Sequence, residues 1–183
     1  MHIAVFFDNN VWDFLFLRKL DLDVQLPRAE FPILITREAE FEIAAIPACK
    51  AELKAFIEGW IERRDIRTDP LFGFADESLP ADEQRVGGWD QGRWADPIEI
   101  RFMAEQNAKP RSRKKKAKTR LYAHEADISL AARSLRFVVL TRDTKKALKD
   151  AHEQGGRVIY VDKFNPDTMT LGQFIKTELN LPE

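Results

Sequence analysis

A strand–helix–strand alternation near the end of the chain constrains the fold most. Residues 136–141 (Arg-Phe-Val-Val-Leu-Thr) form an apolar run typical of a buried strand, and residues 143–154 have a helical pattern that stops at Gly155-Gly156. A second buried strand, at residues 158–161, follows. Strands separated by helices in this way predict an α/β fold, with a mainly parallel sheet covered by helices on both faces.

The start of the chain repeats this alternation. Residues 3–7 are wholly apolar, which is typical of a central parallel strand, and the run ends in Asp8-Asn9-Asn10. Thr36 is a typical residue for the start of a helix, and Pro47 should interrupt that helix. Further predicted elements are a helix from 11 to about 20, a strand at 33–35, and helices at 51–64 and about 171–179.

The middle of the chain lacks such a pattern. The sequence has 183 residues, which fits one domain, residues 1–183, with a long insertion at about 66–120. Four prolines and the Gly87-Gly88 pair predict irregular structure there, apart from a short helix at 98–106. An irregular segment of this length inside a domain is usually functional or mobile.

The net charge of −1 conceals an uneven distribution. Residues 109–120 contain eight basic and no acidic side chains, which leaves 21 basic against 30 acidic residues elsewhere. An acidic body with one basic segment favours a polyanionic partner that meets a local patch. The basic segment is also compatible with a solvated loop, and its composition does not decide between the two interpretations.

Cysteine content and apolar patterning predict the compartment. Cys49 is the only cysteine, so no disulfide can form within the chain, which favours a reducing environment. The N-terminus lacks the basic region of a signal peptide, and no apolar stretch reaches 18 residues. These features predict a cytoplasmic protein without a membrane span.

Four acidic residues are predicted to converge at one edge of the sheet. Asp8 and Asp143 follow predicted strands, Glu42 lies on the helix after the second strand, and Asp127 opens the helix before residues 136–141. Ligands of open parallel sheets bind beyond the carboxyl ends of the strands. Converging carboxylates repel one another unless a cation binds, and oxygen ligands of this kind favour Mg²⁺ or Mn²⁺.

The acidic motifs resemble those of PIN-domain nucleases. The segments that carry the resemblance are Phe7-Asp8-Asn9-Asn10-Val11, the Glu38–Ile43 stretch Glu-Ala-Glu-Phe-Glu-Ile, His124-Glu125-Ala126-Asp127 with the small-residue helix after it, and Thr141-Arg142-Asp143. The resemblance covers residues 1–60 and 122–162. It implies a three-layer α/β/α sandwich and a divalent-metal-dependent phosphodiesterase, usually a ribonuclease. Many members of the family are toxins held by an antitoxin protein.

The same resemblance assigns roles to residues. Catalysis and metal binding fall on Asp8, Glu42, Asp127 and Asp143, with supporting roles for Asn10, Glu38, Glu125 and Thr141. Positions 125 and 127 are two helical steps apart and point about 200° from each other, so we expect Asp127 and not Glu125 to be the ligand. The chain departs from the family in its long middle segment and in Thr144-Lys145-Lys146, where many relatives have another acid, so the number of ions stays open.

The basic segment supplies the predicted contacts to RNA. A carboxylate cluster repels phosphate until metal binds, so attraction has to come from a positive region. The predicted nucleic-acid-binding residues are Arg111, Arg113, Lys114, Lys115, Lys116 and Lys118. An antitoxin and a second copy of the chain are further partners that the sequence leaves open.

Each acid also has a purely structural interpretation. Asp8, Asp127 and Asp143 could cap or flank helix starts, and the glutamates at 38–42 could form a solvated face. A catalytically degenerate RNA-binding module is therefore the alternative function. An aspartyl phosphotransferase would need a second Asp where Asn10 stands, and the absence of a glycine-rich phosphate motif excludes a P-loop or dinucleotide fold.

Overall fold

A five-stranded parallel sheet forms the centre of the fold. The computed structural model describes residues 2–73, 80–88, 90, 92–110, 116–119, 121–122, 124–144 and 146–182. The strands are β1 (Val5–Phe7), β2 (Ile33–Ile35), β3 (Arg67–Thr68), β4 (Leu71–Phe72), β5 (Val86–Gly87), β6 (Val138–Thr141) and β7 (Val158–Tyr160). The sheet has the order β3-β2-β1-β6-β7, and every neighbouring pair is parallel.

This strand order places the start of the chain in the middle of the sheet. From β1 the chain moves outward to β2 and β3 on one side, and it later returns to β6 and β7 on the other. Val5 of β1 is paired with Ile33 on one side and with Val138 on the other. The order therefore reverses between β1 and β6, and ligands of such sheets bind in the crevice at this point.

Helices cover both faces of the sheet and complete a three-layer α/β/α sandwich. They are α1 (Asn9–Leu17), α2 (Leu22–Gln25), α3 (Arg37–Ala44), α4 (Ala51–Arg64), α5 (Pro97–Ala108), α6 (Glu125–Ser134), α7 (Lys146–Glu153) and α8 (Leu171–Glu178). The predicted α/β fold is confirmed. Among the described residues, no helix is long and apolar enough to cross a membrane.

The core consists of two apolar clusters, one on each face of the sheet. Val5 and Phe7 belong to the cluster that contains residues of α1, α4 and α8, whereas Phe6 belongs to the cluster with residues of α5, α6 and α7. Successive strand residues point to opposite faces, so both clusters draw on the same short strand. This explains why the strand sequence is apolar without interruption.

Most predicted helix ends agree with the structure. The side chain of Thr36 caps α3 by accepting a hydrogen bond from the amide of Ala39, and α3 ends at Ala44, before Pro47. Gly155 has a φ of +86°, which suits glycine after the end of α7. The helix predicted at 98–106 is α5, where Asp96 and Glu99 form a capping box.

The insertion contains more regular structure than the sequence predicted. Strand β3 joins the edge of the main sheet, β4 and β5 form a separate parallel pair, and α5 packs on α6. A buried ion network attaches this region to the body, because Asp69 accepts hydrogen bonds from both Arg93 and Arg133. The two-residue strands have no detectable periodicity, which is why the sequence analysis missed them.

Candidate active site

Asp8 lies at the carboxyl end of β1, next to the crevice. It occupies the N-cap position of α1, but its side chain makes no capping hydrogen bond. Instead its Oδ2 accepts one hydrogen bond of 2.6 Å from Asn10 Nδ2 and another of 2.6 Å from the Thr141 hydroxyl. The interpretation of Asp8 as a simple helix cap is therefore wrong.

Residues at the end of β6 complete the hydrogen-bond network around Asp8. The Thr141 hydroxyl accepts a hydrogen bond from the amide of Asp143 while it donates to Asp8. Asn10 Oδ1 accepts from the amide of Arg142, which fixes the orientation of the Asn10 side chain. Asp8 and Asp143 are thus both bonded to one buried hydroxyl at the point where the strand order reverses.

Glu42 reaches the same region from α3. Its Oε2 accepts a hydrogen bond of 2.8 Å from Asn9 Nδ2, and its Oε1 forms an ion pair of 2.6 Å with Lys116 Nζ. Asn9 Oδ1 is buried and has no hydrogen-bond partner among the described residues. The sequence assigned no site role to Asn9, so its contact with Glu42 was not predicted.

Asp127 lies in the first turn of α6 and is half-buried. Its Oδ2 lies 3.8 Å from His124 Nδ1. The charge of Asp127 acts on Asp8: burial, together with the negative charges of Asp127 and Glu42, raises the pKa of Asp8 to about 6 against the hydrogen bonds from Thr141 and Asn10. Two of the other predicted acids therefore act electrostatically on Asp8.

Glu38 and Glu125, the predicted supporting acids, have other partners. Glu38 is buried and accepts a hydrogen bond of 2.8 Å from the Ser129 hydroxyl; burial raises its pKa, against the nearby charge of Arg133. Glu125 forms an ion pair with Arg85 and accepts a hydrogen bond from the amide of Tyr122. The solvated-face interpretation of residues 38–42 is wrong for Glu38, and Glu125 points to a different neighbourhood from Asp127.

Two of the six predicted RNA-binding residues can be located. Lys116 and Lys118 are exposed on the short described stretch 116–119, beside Glu42. The other four, Arg111, Arg113, Lys114 and Lys115, lie outside the described residues. The basic segment therefore ends next to the acidic residues, and one of its lysines contacts a predicted metal ligand.

The donor chemistry of the crevice suits a hard divalent cation. Carboxylates and the partnerless oxygen of Asn9 are the oxygen ligands that Mg²⁺ and Mn²⁺ prefer. Within the described part of the chain, no three His, Cys, Asp or Glu side chains are gathered into a ready ion site. Lys116 neutralises one of these carboxylates by pairing with Glu42.

Comparison with known proteins adds no relative, since no family model, no curated protein and no solved structure matches this chain. The resemblance to PIN-domain nucleases therefore stays a prediction from the motifs. The structure places Asp8 near enough to Asp127 and Glu42 for their charges to act on it, and it pairs Glu42 with Lys116 of the basic segment.

Proposed function

We propose that this protein is a Mg²⁺- or Mn²⁺-dependent ribonuclease that hydrolyses phosphodiester bonds at the crevice between β1 and β6. The observation that carries the proposal is the environment of the Asp8 carboxylate. This carboxylate does not cap α1 but accepts hydrogen bonds from Asn10 and Thr141. It is also close enough to Asp127 and Glu42 for their charges to raise its pKa. Perturbed carboxylates in a crevice are typical of functional sites.

In this proposal the four acids share one role, and the residues around them have others. Asp8, Glu42, Asp127 and Asp143 would hold the cation. A divalent cation bound there supplies positive charge that stabilises the charge developing on the phosphodiester. Thr141 and Asn10 orient the Asp8 carboxylate through hydrogen bonds that already exist. Lys116 and Lys118 lie where they can attract the phosphates of the substrate.

The direct test is an activity assay with matched variants. Purified protein is incubated with single-stranded RNAs of varied sequence in Mg²⁺, in Mn²⁺ and in EDTA. Cleavage is expected with either ion and not with EDTA. The Asp8→Asn variant keeps the size of the side chain and an oxygen that can accept from Asn10 and Thr141, so it should fold but lose cleavage. A wild-type protein that is inert on all RNAs with both ions rules out the proposed enzyme.

A catalytically degenerate RNA-binding module is the second candidate. The observation that favours it is the ion pair between Lys116 and Glu42, because it neutralises one predicted ligand with a residue of the chain itself. RNA binding that persists in EDTA, without cleavage under any condition and without any effect of Asp8→Asn, would support this second candidate.

A further inference from the structure

A groove lies beside the acidic residues, between α3, α4 and the stretch 116–119. Its volume is about 560 Å³, within the range of small-molecule sites. Glu42 and Asn9 line one end of it. Its other walls include an apolar set (Ile46, Leu53, Ile57) and a cationic set (Lys50, Lys116, Lys118), together with Asp13 and Thr119. We refer to this feature as the basic groove.

The two types of side chain match the two parts of a nucleotide. A base has an apolar face that can pack on accessible apolar surface, which Ile46 offers here more than the buried Leu53 and Ile57, and each phosphate carries a charge that lysine ammonium groups attract. Lys50 and Lys116 are about half-exposed, so both can reach a ligand in the groove. Asp13, the acidic neighbour of Lys50, is 3.6 Å away, a distance that leaves the lysine only loosely held.

Lys116 connects the basic groove to the acidic residues. Its Nζ is 2.6 Å from Glu42 Oε1, and both side chains are partly exposed. An ammonium group in this position neutralises a carboxylate that the proposed function assigns to a divalent cation. The Lys116 ammonium group has three donors, but its attraction to Glu42 weakens as it turns towards an RNA phosphate, so the two anions compete for it.

We propose that the basic groove is a nucleotide subsite for single-stranded RNA, and that Lys116 exchanges Glu42 for an RNA phosphate when RNA binds. This inference rests on the proposed ribonuclease function and adds to it a coupling between RNA binding and cation binding. RNA that takes Lys116 away from Glu42 releases that carboxylate for the cation. By thermodynamic reciprocity, the cation must strengthen RNA binding by the same factor.

Two binding measurements without turnover test the exchange. Mn²⁺ affinity is measured on RNA-free protein by electron paramagnetic resonance of unbound Mn²⁺. RNA affinity is measured in EDTA, by fluorescence anisotropy of a labelled single-stranded oligoribonucleotide over a range of salt concentrations. The variants are Lys116→Gln, Lys118→Gln and Lys50→Gln. Lys149→Gln, on the exposed face of α7 and outside the basic groove, is the matched control.

The exchange predicts opposite effects for one substitution. Lys116→Gln should tighten Mn²⁺ binding roughly two- to fivefold, the range expected for loss of a partly exposed ion pair. The same variant should weaken RNA binding and reduce the slope of log affinity against log salt by about 0.7. Lys118→Gln and Lys50→Gln should weaken RNA binding alone, and Lys149→Gln should change neither affinity.

The outcomes separate this inference from the proposed function. If wild-type protein cleaves RNA but Lys116→Gln leaves Mn²⁺ affinity unchanged, the exchange is refuted and the ribonuclease stands. If none of the three groove variants weakens RNA binding more than Lys149→Gln does, the subsite is refuted. A wild-type protein that neither binds Mn²⁺ nor cleaves RNA overturns both.

Discussion

The Thr141 hydroxyl donates a hydrogen bond of 2.6 Å to Asp8 Oδ2, and this bond joins the carboxyl ends of β6 and β1. Thr141 is fully buried, and the same hydroxyl accepts from the amide of Asp143. One side chain therefore orients the Asp8 carboxylate and fixes the backbone at Asp143. Residues that orient metal ligands in this way usually matter for affinity and activity nearly as much as the ligands do.

Thr141→Val should impair activity by loss of this orientation. Valine has nearly the same shape but offers neither a donor for Asp8 nor an acceptor for the Asp143 amide. We expect RNA cleavage and Mn²⁺ affinity to fall about 10- to 100-fold, and the free energy of unfolding to fall by about 1–3 kcal/mol. Thr141→Ser keeps the hydroxyl and is the control. Equal activity in the Val and Ser variants would show that the hydroxyl does not position the acids.

The raised pKa of Asp8 makes the stability of the metal-free protein depend on pH. The folded pKa is about 6, against 3.8 for the model carboxyl group. Folding therefore favours protonated Asp8, and this stabilisation is complete below pH 3.8 and is lost as the pH rises through about 6. A difference of about two pKa units corresponds to roughly 3 kcal/mol.

Asp8→Asn, which cannot ionise, should therefore be more stable than wild type in EDTA at pH 8, by up to about 3 kcal/mol. The difference should shrink towards zero as the pH falls to about 4. Denaturant unfolding at several pH values measures this difference in the free energy of unfolding. Saturating Mn²⁺ at pH 8 should stabilise wild type and not the variant. A variant that is less stable than wild type at pH 8 in EDTA contradicts this description of Asp8.

Asp127 and Glu125 should differ in their effects on activity. Asp127 influences the charge of Asp8, whereas Glu125 is paired with Arg85. Asp127→Asn should reduce cleavage by at least about 100-fold, on the scale of lost transition-state electrostatics. Glu125→Gln should retain most of the activity, because it only weakens an ion pair outside the crevice. Steady-state cleavage rates of the two variants measure this difference. A larger loss in Glu125→Gln than in Asp127→Asn would assign the role of metal ligand to Glu125.

The ion network that anchors the insertion predicts a change in stability. Arg133 is buried, with hydrogen bonds to Asp69 and Ser129. Arg133→Met leaves Asp69 with Arg93 alone and removes the positive charge near buried Glu38, so it should lower the free energy of unfolding by about 2–4 kcal/mol. Arg136→Met, just after the same helix, removes a partly exposed pair with Asp96 and a contact with the Phe137 ring, and should cost less than about 1 kcal/mol. Similar losses in both variants would show that the network does not anchor the insertion.

The sequence predicted the parts of the fold that local pattern determines. Residues 5–7 and 138–140 are apolar at every position because both faces of their strands are buried, and that pattern identified the strands. The edge strand Arg67–Thr68 has two residues and no apolar pattern, since it gains its partner only from β2. Its existence depends on tertiary structure, and no local signal could reveal it.

The same distinction applies to the candidate site. Asp8 and Asp143 were predicted because they follow recognisable strands, and strand ends converge in a parallel sheet. The pairing of Lys116 with Glu42 spans 74 positions, and composition alone marked Lys116 as one of eight basic residues. Only the folded chain brings that lysine to the acids.

The central claim is that Asp8, Glu42, Asp127 and Asp143 together hold a divalent cation, and anomalous scattering from crystals soaked in Mn²⁺ tests it most directly. We expect a Mn²⁺ peak in the crevice between β1 and β6, at about 2.0–2.3 Å from oxygens of Asp8 and at least one other of the four acids. Glu42 should then have moved away from Lys116. The absence of any Mn²⁺ peak near Asp8 in well-ordered, fully soaked crystals, with Lys116 still paired to Glu42, would contradict the claim.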